Sequence, residues 1–119
     1  MKDPRSIALE ERTAQLGERV VMLCKKAERN VVSIPIIKQL VRSAHSIGAN
    51  YAEANNASSR KDFRNKIYIV KKECQETKYT IRLLAAAEPH LCAELRLLWQ
   101  ECHEFTKIFQ AIATSLDSK

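Results

Sequence analysis

Glycine and proline are scarce in this chain: two and three copies among 119 residues. Two glycines cannot build a loop that cradles phosphate, and neither a P-loop nor a dinucleotide fingerprint is present. The four cysteines include no C-x-x-C pair, and no Cys/His set has zinc-finger spacing, which excludes a zinc module. No uncharged stretch exceeds the ten residues of 43–52, so no segment is long and apolar enough to span a bilayer as a helix. The opening MKDPRSIALEERTAQ has no apolar block of the signal-peptide kind. These absences lead to the expectation of a cytoplasmic protein that carries no metal or cofactor.

What is present suits long helices. Hydrophobic residues make up 45% of the chain, and with so few breakers they favour helices joined by short connections over sheets or disorder. A length of 119 residues fits one domain that buries about two-thirds of its unfolded surface. Four segments repeat apolar residues 4 and 3 apart, the spacing that puts them on one stripe of a helix. A first helix, over about 6–28, has Leu9, Thr13, Leu16, Val20, Leu23 and Ala27 in register, with Pro4 just before it. A second, over 33–55, starts at Ser33 as N-cap with Pro35 in the first turn and carries Ile34, Ile37, Val41, Ala44, Gly48 and Tyr51. A third, over 61–87, carries Phe63, Ile67, Val70, Cys74, Thr77, Ile81 and Leu84; Ser58 or Ser59 is its N-cap, Asp62 lies in its first turn, and Glu88-Pro89 stops it. A fourth, over 90–116, carries Leu91, Leu95, Leu98, Cys102, Phe105, Phe109, Ile112 and Leu116. Short connections favour antiparallel neighbours, so the expected fold is an all-α, up-down-up-down four-helix bundle with left-handed packing.

Apolar residues remain once these stripes are satisfied: Ile36, Leu40 and Ile47 on the second helix, Tyr68, Ile69, Tyr79 and Leu83 on the third, Leu97, Trp99 and Ile108 on the fourth. One stripe per helix suffices for a monomeric bundle, so the surplus predicts self-association, with Ile36, Leu40, Ile47, Tyr68, Ile69, Leu83, Leu97 and Trp99 at the contact.

Charge is uneven. Residues 60–82 hold 8 basic side chains against 3 acidic, whereas residues 83–119 hold 3 against 5. Arg64, Lys71 and Lys78 recur every seven residues beside the core line, and Arg60, Lys61, Lys66, Lys72 and Arg82 surround them. Tyr68 and Tyr79 add aromatic faces, while Glu73 and Glu76 dilute the row. Such a row is either a solvated face or a track for the phosphates of RNA or DNA. The candidate nucleic-acid residues are Arg60, Lys61, Arg64, Lys71, Lys72, Lys78 and Arg82.

No catalytic constellation emerges. His45 lies too close in sequence to Ser43 and Ser46 to face them on a helix. His90, His103 and Cys102 lack the partners three or four residues away that a helical metal site uses, which makes each of them a surface or boundary residue. The cysteines read as four buried or half-buried thiols. Ser46, Asn50 and Glu53 share one face, fit either to bind a polar ligand or to hydrogen-bond across a close helix crossing permitted by Gly48, Ala49 and Ala52. The crossing is the favoured reading.

Residues 43–84 resemble the four-helix-bundle proteins first noticed as reading frames inside 23S rRNA intervening sequences. The family pattern is S-I-x-A-N-x-A-E, a basic turn, then a helix with F…YI…E. Ser46, Ile47, Ala49, Asn50, Ala52 and Glu53 match its first part, and Phe63, Tyr68, Ile69 and Glu76 its second. The run KEC-x-ET-x-Y, Lys72 to Tyr79, is similar to one branch. Gly48 stands where the family commonly has proline, and Ala54 where it has glycine, which moves the stop of the second helix to Asn55 or Asn56 in a left-handed conformation. The resemblance implies closed rings, typically of five subunits. It extends to accessory proteins of diversity-generating retroelements, basic ring-forming bundles that bind nucleic acid and a reverse transcriptase. A reverse transcriptase encoded nearby is therefore a candidate partner. The sequence reading is a non-enzymatic, self-assembling bundle that presents a basic surface to RNA or DNA; the alternative is a protein-interaction scaffold that binds no nucleic acid.

Overall fold

A computed structural model describes residues 3–118 and places four α-helices around one core, with no strand among the described residues. They are α1 (Pro4–Cys24), α2 (Ser33–Asn55), α3 (Arg60–Ala87) and α4 (Cys92–Asp117), with a short 3₁₀ turn, Pro89–Leu91, before the last. At about 1.5 Å per residue, α3 alone accounts for most of the 47 Å long axis. None of the helices is long and apolar enough to cross a membrane.

The ends follow local chemistry. The Asp3 carboxylate accepts the Ser6 N–H (2.9 Å) and Pro4 occupies the first turn of α1. Ser59, not Ser58, caps α3 by accepting the Asp62 N–H (3.0 Å). Three sequence expectations give way at other ends. The first helix stops at Cys24 rather than 28, because the N–H groups of Lys26 and Ala27 turn to carbonyls three residues back and tighten the chain. Ser33 lies inside α2 and does not cap it. Asn30 does so instead, its side-chain oxygen accepting from the N–H of Val32 (3.0 Å) and Ser33 (2.9 Å). The buried Ser33 hydroxyl donates to the Glu28 carbonyl. Finally, α2 ends at Asn56 with φ −110°, so no left-handed residue is needed there.

The helices pack in a cycle. The most extensive contacts are α2 on α3 and α3 on α4; α1 lies chiefly on α2 and meets α4 thinly. Cross-helix pairs join Arg42 to Glu73 and Glu53 to Lys66 between α2 and α3. Others join Arg64 to Asp117 between α3 and α4, Arg12 to Glu101 between α1 and α4, and Lys26, just past the end of α1, to Glu94 of α4. At one end of the bundle the buried Glu88 carboxylate accepts the backbone N–H of Glu28 at 2.6 Å, tying the α1–α2 connection to the stop of α3.

Within the core, Leu16, Val20, Ile67, Val70, Leu84, Leu95, Phe105 and Phe109 are fully enclosed. Tyr51 meets Phe109 edge-on at 5.1 Å, and Phe105 lies 6.2 Å from Phe109. The buried stripe of α2 differs from the expected one. It runs Leu40, Ala44, Ile47, Tyr51, Ala54, while Ile34 and Val41 are exposed. Leu40 and Ile47 are 0% exposed, so they fill the bundle interior and cannot form a contact between subunits. Both candidate stripes have helical spacing, but the expected one spends a position on Gly48, which has no side chain to bury.

Burial pushes the Cys24 thiol up to about 11 and the Cys102 thiol up to about 12, and raises that of Cys74 as well. Cys92 is exposed, contrary to the expectation that all four thiols are at least half buried.

Two predictions follow from this packing. Phe105→Ala empties a closed aromatic site and is expected to lower the unfolding free energy by about 3–5 kcal/mol, read from urea denaturation followed by helical circular dichroism. Acid is expected to act through Glu73 and Glu101. Burial pushes Glu73 up, but hydrogen bonds and charge from Arg42 outweigh it, and the Arg12 guanidinium holds Glu101 down, so both sit below 4.5. A carboxyl lower in the folded state than in the unfolded one stabilises fully above the unfolded value. That stabilisation is lost as pH falls from about 4.5 through the folded values. In Glu101→Gln the difference between the urea midpoints at neutral and acid pH is expected to shrink; an unchanged difference counts against the pair.

Candidate nucleic-acid interface

The third helix has two chemically different sides. On the side turned to α2, Lys66 pairs with Glu53 (2.7 Å) and Arg42 reaches across to Glu73 (3.1 Å) and Glu76. Glu73 is buried there. The two acidic residues that dilute the basic row in the sequence are thus turned away from it and held by a cation of another helix.

The other side carries Arg64, Lys71 and Lys78, as their seven-residue spacing requires. Arg64 is not free: its Nε donates to Asp117 Oδ1 (2.7 Å), beside the Tyr68 hydroxyl, which donates to the same carboxylate. Those two donors hold the Asp117 carboxyl below its usual range, and Asp117 raises both Tyr68 and Arg64. The Arg64 guanidinium and the Lys71 ammonium each lie 4.8 Å from the centre of the Tyr68 ring. Arg60 donates to the Leu116 carbonyl (2.9 Å). Lys61, Lys72 and Arg82 are exposed and belong to no ion pair among the described residues.

Farther along, Lys78 reaches α4. Its Nζ sits 5.1 Å from the centre of the Trp99 ring and 3.2 Å from His103 Nδ1. His103 stacks on Trp99 at 5.0 Å, 16° from parallel. The sequence reading left His103 partnerless and missed this cluster. Trp99 and His103 are four apart, a spacing visible in the sequence, but Lys78 joins them only through the α3–α4 packing. Beside Trp99 an open groove of about 480 Å³ runs between α3 and α4, with Arg82, Arg96, Leu95, Ala85, Gln100 and Cys92 in its walls.

Among the remaining expected contact residues, Leu83 and Leu97 are exposed, while Ile36, Tyr68 and Ile69 are half-buried. The polar row divides. Asn50 donates to the carbonyl (2.9 Å) and hydroxyl (2.8 Å) of Ser46 within α2, so only Glu53 bonds across helices, to Lys66. The close approach at Gly48 is to the Thr13 backbone of α1, where an added Cβ would meet Thr13 O at 3.6 Å, an ordinary contact. His45 is exposed, whereas Ser43 is buried and accepts from the Thr77 hydroxyl (2.9 Å), so the two form no nucleophilic pair. No group of three or more His, Cys, Asp or Glu side chains among the described residues is placed to hold a metal.

Comparison with curated proteins gave no match. Among solved structures, the chain is similar to a Bacteroides thetaiotaomicron protein of unknown function from the S23 ribosomal protein family. The two share 32% sequence identity with a TM-score of 0.77, over 87% of this chain and 96% of that one. The family model of the 23S rRNA-intervening sequence protein matches residues 6–111. With nearly the whole helical region inside that match, the chain belongs to the 23S rRNA-intervening sequence protein family.

Proposed function

We propose that this chain is a non-enzymatic, up-down-up-down helical bundle that self-assembles and binds RNA or DNA through the outward side of α3. The observation that carries the reading is the segregation of charge on α3. Glu73 and Glu76 are drawn to Arg42, and the opposite side keeps Lys71, Lys78 and Arg82, with Lys61 and Lys72 alongside. Cations spaced along a rod, with no dedicated base-reading module, suit phosphates. Antiparallel neighbours are supported by contact pairs whose numbers run in opposite senses, Arg42 with Glu73 and Glu53 with Lys66.

Self-assembly is supported by two separate apolar faces. One joins Met22 (60% exposed) of α1 and Leu97 (58%) of α4; the other joins Tyr79 (63%) and Leu83 of α3 to Ile36 of α2. Since no Cα of α1 comes within 8 Å of one in α3, the two helices are diagonal and the faces lie at different corners of the bundle. Two unlike faces meeting head to tail generate a ring when the rotation closes. A ring of five, as the family resemblance implies, repeats the basic side five times and multiplies phosphate contacts.

The scaffold alternative draws on one observation: Arg64 and Lys66 are already spent on Asp117 and Glu53. Salt titration separates the readings. A fluorescently labelled RNA or DNA is expected to bind with an affinity that falls steeply as salt rises. The variant Lys71→Glu, Lys72→Glu, Arg82→Glu is expected to abolish binding and keep its helical signal. Absence of binding by the parent at low salt favours the scaffold. In light scattering coupled to size exclusion, the parent is expected at several times the chain mass. Leu83→Glu is expected to shift it toward the monomer, because an unpaired charge in an apolar contact is costly.

A further inference from the structure

We propose that the groove beside Trp99 takes one unpaired nucleotide of a single-stranded RNA or DNA, its base stacked on the indole and its flanking phosphates held by Arg82 and Arg96. The proposal rests on the nucleic-acid reading above and narrows it, from a phosphate track to a strand whose bases are exposed. Lys78 Nζ and the His103 ring both lie about 5 Å from the indole centre, and Lys78 Nζ is only 3.2 Å from His103 Nδ1. Two groups so close together cannot sit on opposite faces of the ring, so they cover one face and leave the other. Trp99 retains 37% of its surface, and it lines the open groove with Leu95 and Ala85 beneath.

The groove is also electrically one-sided. Arg82 and Arg96 stand in its walls, neither in an ion pair among the described residues, and no carboxylate lines it. A flat aromatic group with negative charge on either side matches a planar apolar wall between two guanidinium groups. A nucleotide in a single strand offers both parts. A duplex hides its base faces in the stack and offers only the phosphates. Gln100 at the rim adds an amide able to donate to or accept from a base edge.

The chain has a single tryptophan, so its fluorescence reports on this groove alone. The assembled protein is titrated with a short oligoadenylate and, separately, with a duplex of matched length. Tryptophan emission is followed together with the anisotropy of an end label. The single strand is expected to quench Trp99 and the duplex to leave it unquenched. Trp99→Ala is expected to weaken single-strand binding about 10- to 100-fold, with most affinity kept in Trp99→Phe, because base stacking needs an aromatic face. Arg82→Ala with Arg96→Ala is expected to weaken binding and flatten its salt dependence. If anisotropy shows the strand bound with equal affinity to parent and Trp99→Ala, and without quenching, this proposal fails while the broader reading stands. If neither nucleic acid binds at low salt, both fail. If Trp99→Ala breaks the assembly in light scattering, Trp99 belongs to a contact between copies, and the proposal is overturned.

Discussion

The rotation of α3 about its own axis governs everything else in this molecule, and the α2–α3 seam fixes it. Arg42 reaches from α2 to Glu73 and Glu76, and Glu73 is buried. One helical turn on, the Thr77 hydroxyl donates to Ser43 (2.9 Å), which donates to the Leu40 carbonyl (3.3 Å). A buried carboxylate or hydroxyl stripped of its partner is costly, so turning α3 out of this setting is opposed by more than apolar packing. With Glu73 facing α2, residues 64, 71 and 78 have nowhere to point but outward and toward α4. The charge pattern of the surface is thus a by-product of polar contacts made inside.

How much of this was legible in the sequence depends on how many residues each feature involves. The core lines of α3 and α4 were readable because Ile67, Val70, Cys74, Ile81 and Leu84, and Leu95, Leu98, Phe105 and Phe109, repeat without a competing stripe. On α2 two stripes compete, and the choice between Ile37–Val41 and Leu40–Ile47 is made by what α1 and α3 present to them, which no spacing rule contains. The caps divide likewise. Ser59 acts locally and was visible, whereas Ser33 was displaced by Asn30, whose side chain closes the turn earlier.

The site shows the same division more sharply. The seven-residue spacing of Arg64, Lys71 and Lys78 determines that they share a side, but not which of them is free. Arg64 meets Asp117, 53 residues away, and Lys78 meets His103, 25 residues away. Conversely, the sequence overstated the dilution by Glu73 and Glu76, since net charge along a segment ignores the direction each side chain takes. The company of the aromatic rings was likewise not legible: Tyr68 lies beside Arg64 and Lys71, and Trp99 beside Lys78 and His103.

At the far end of the same side, Asp117 already occupies the position of an incoming anion, where guanidinium and phenol converge on one carboxylate. A phosphate that reaches Arg64 must therefore displace the last turn of α4 instead of entering a vacant place. Binding there is an exchange of one anion for another, with little net gain in charge neutralised. Lys71 lies within the field of the same Asp117 and Lys72 within that of Glu73, but neither they nor Arg82 is in an ion pair among the described residues. On the proposed nucleic-acid reading, a strand would therefore be held least at Arg64, where the chain supplies its own anion, and more toward the groove at Trp99.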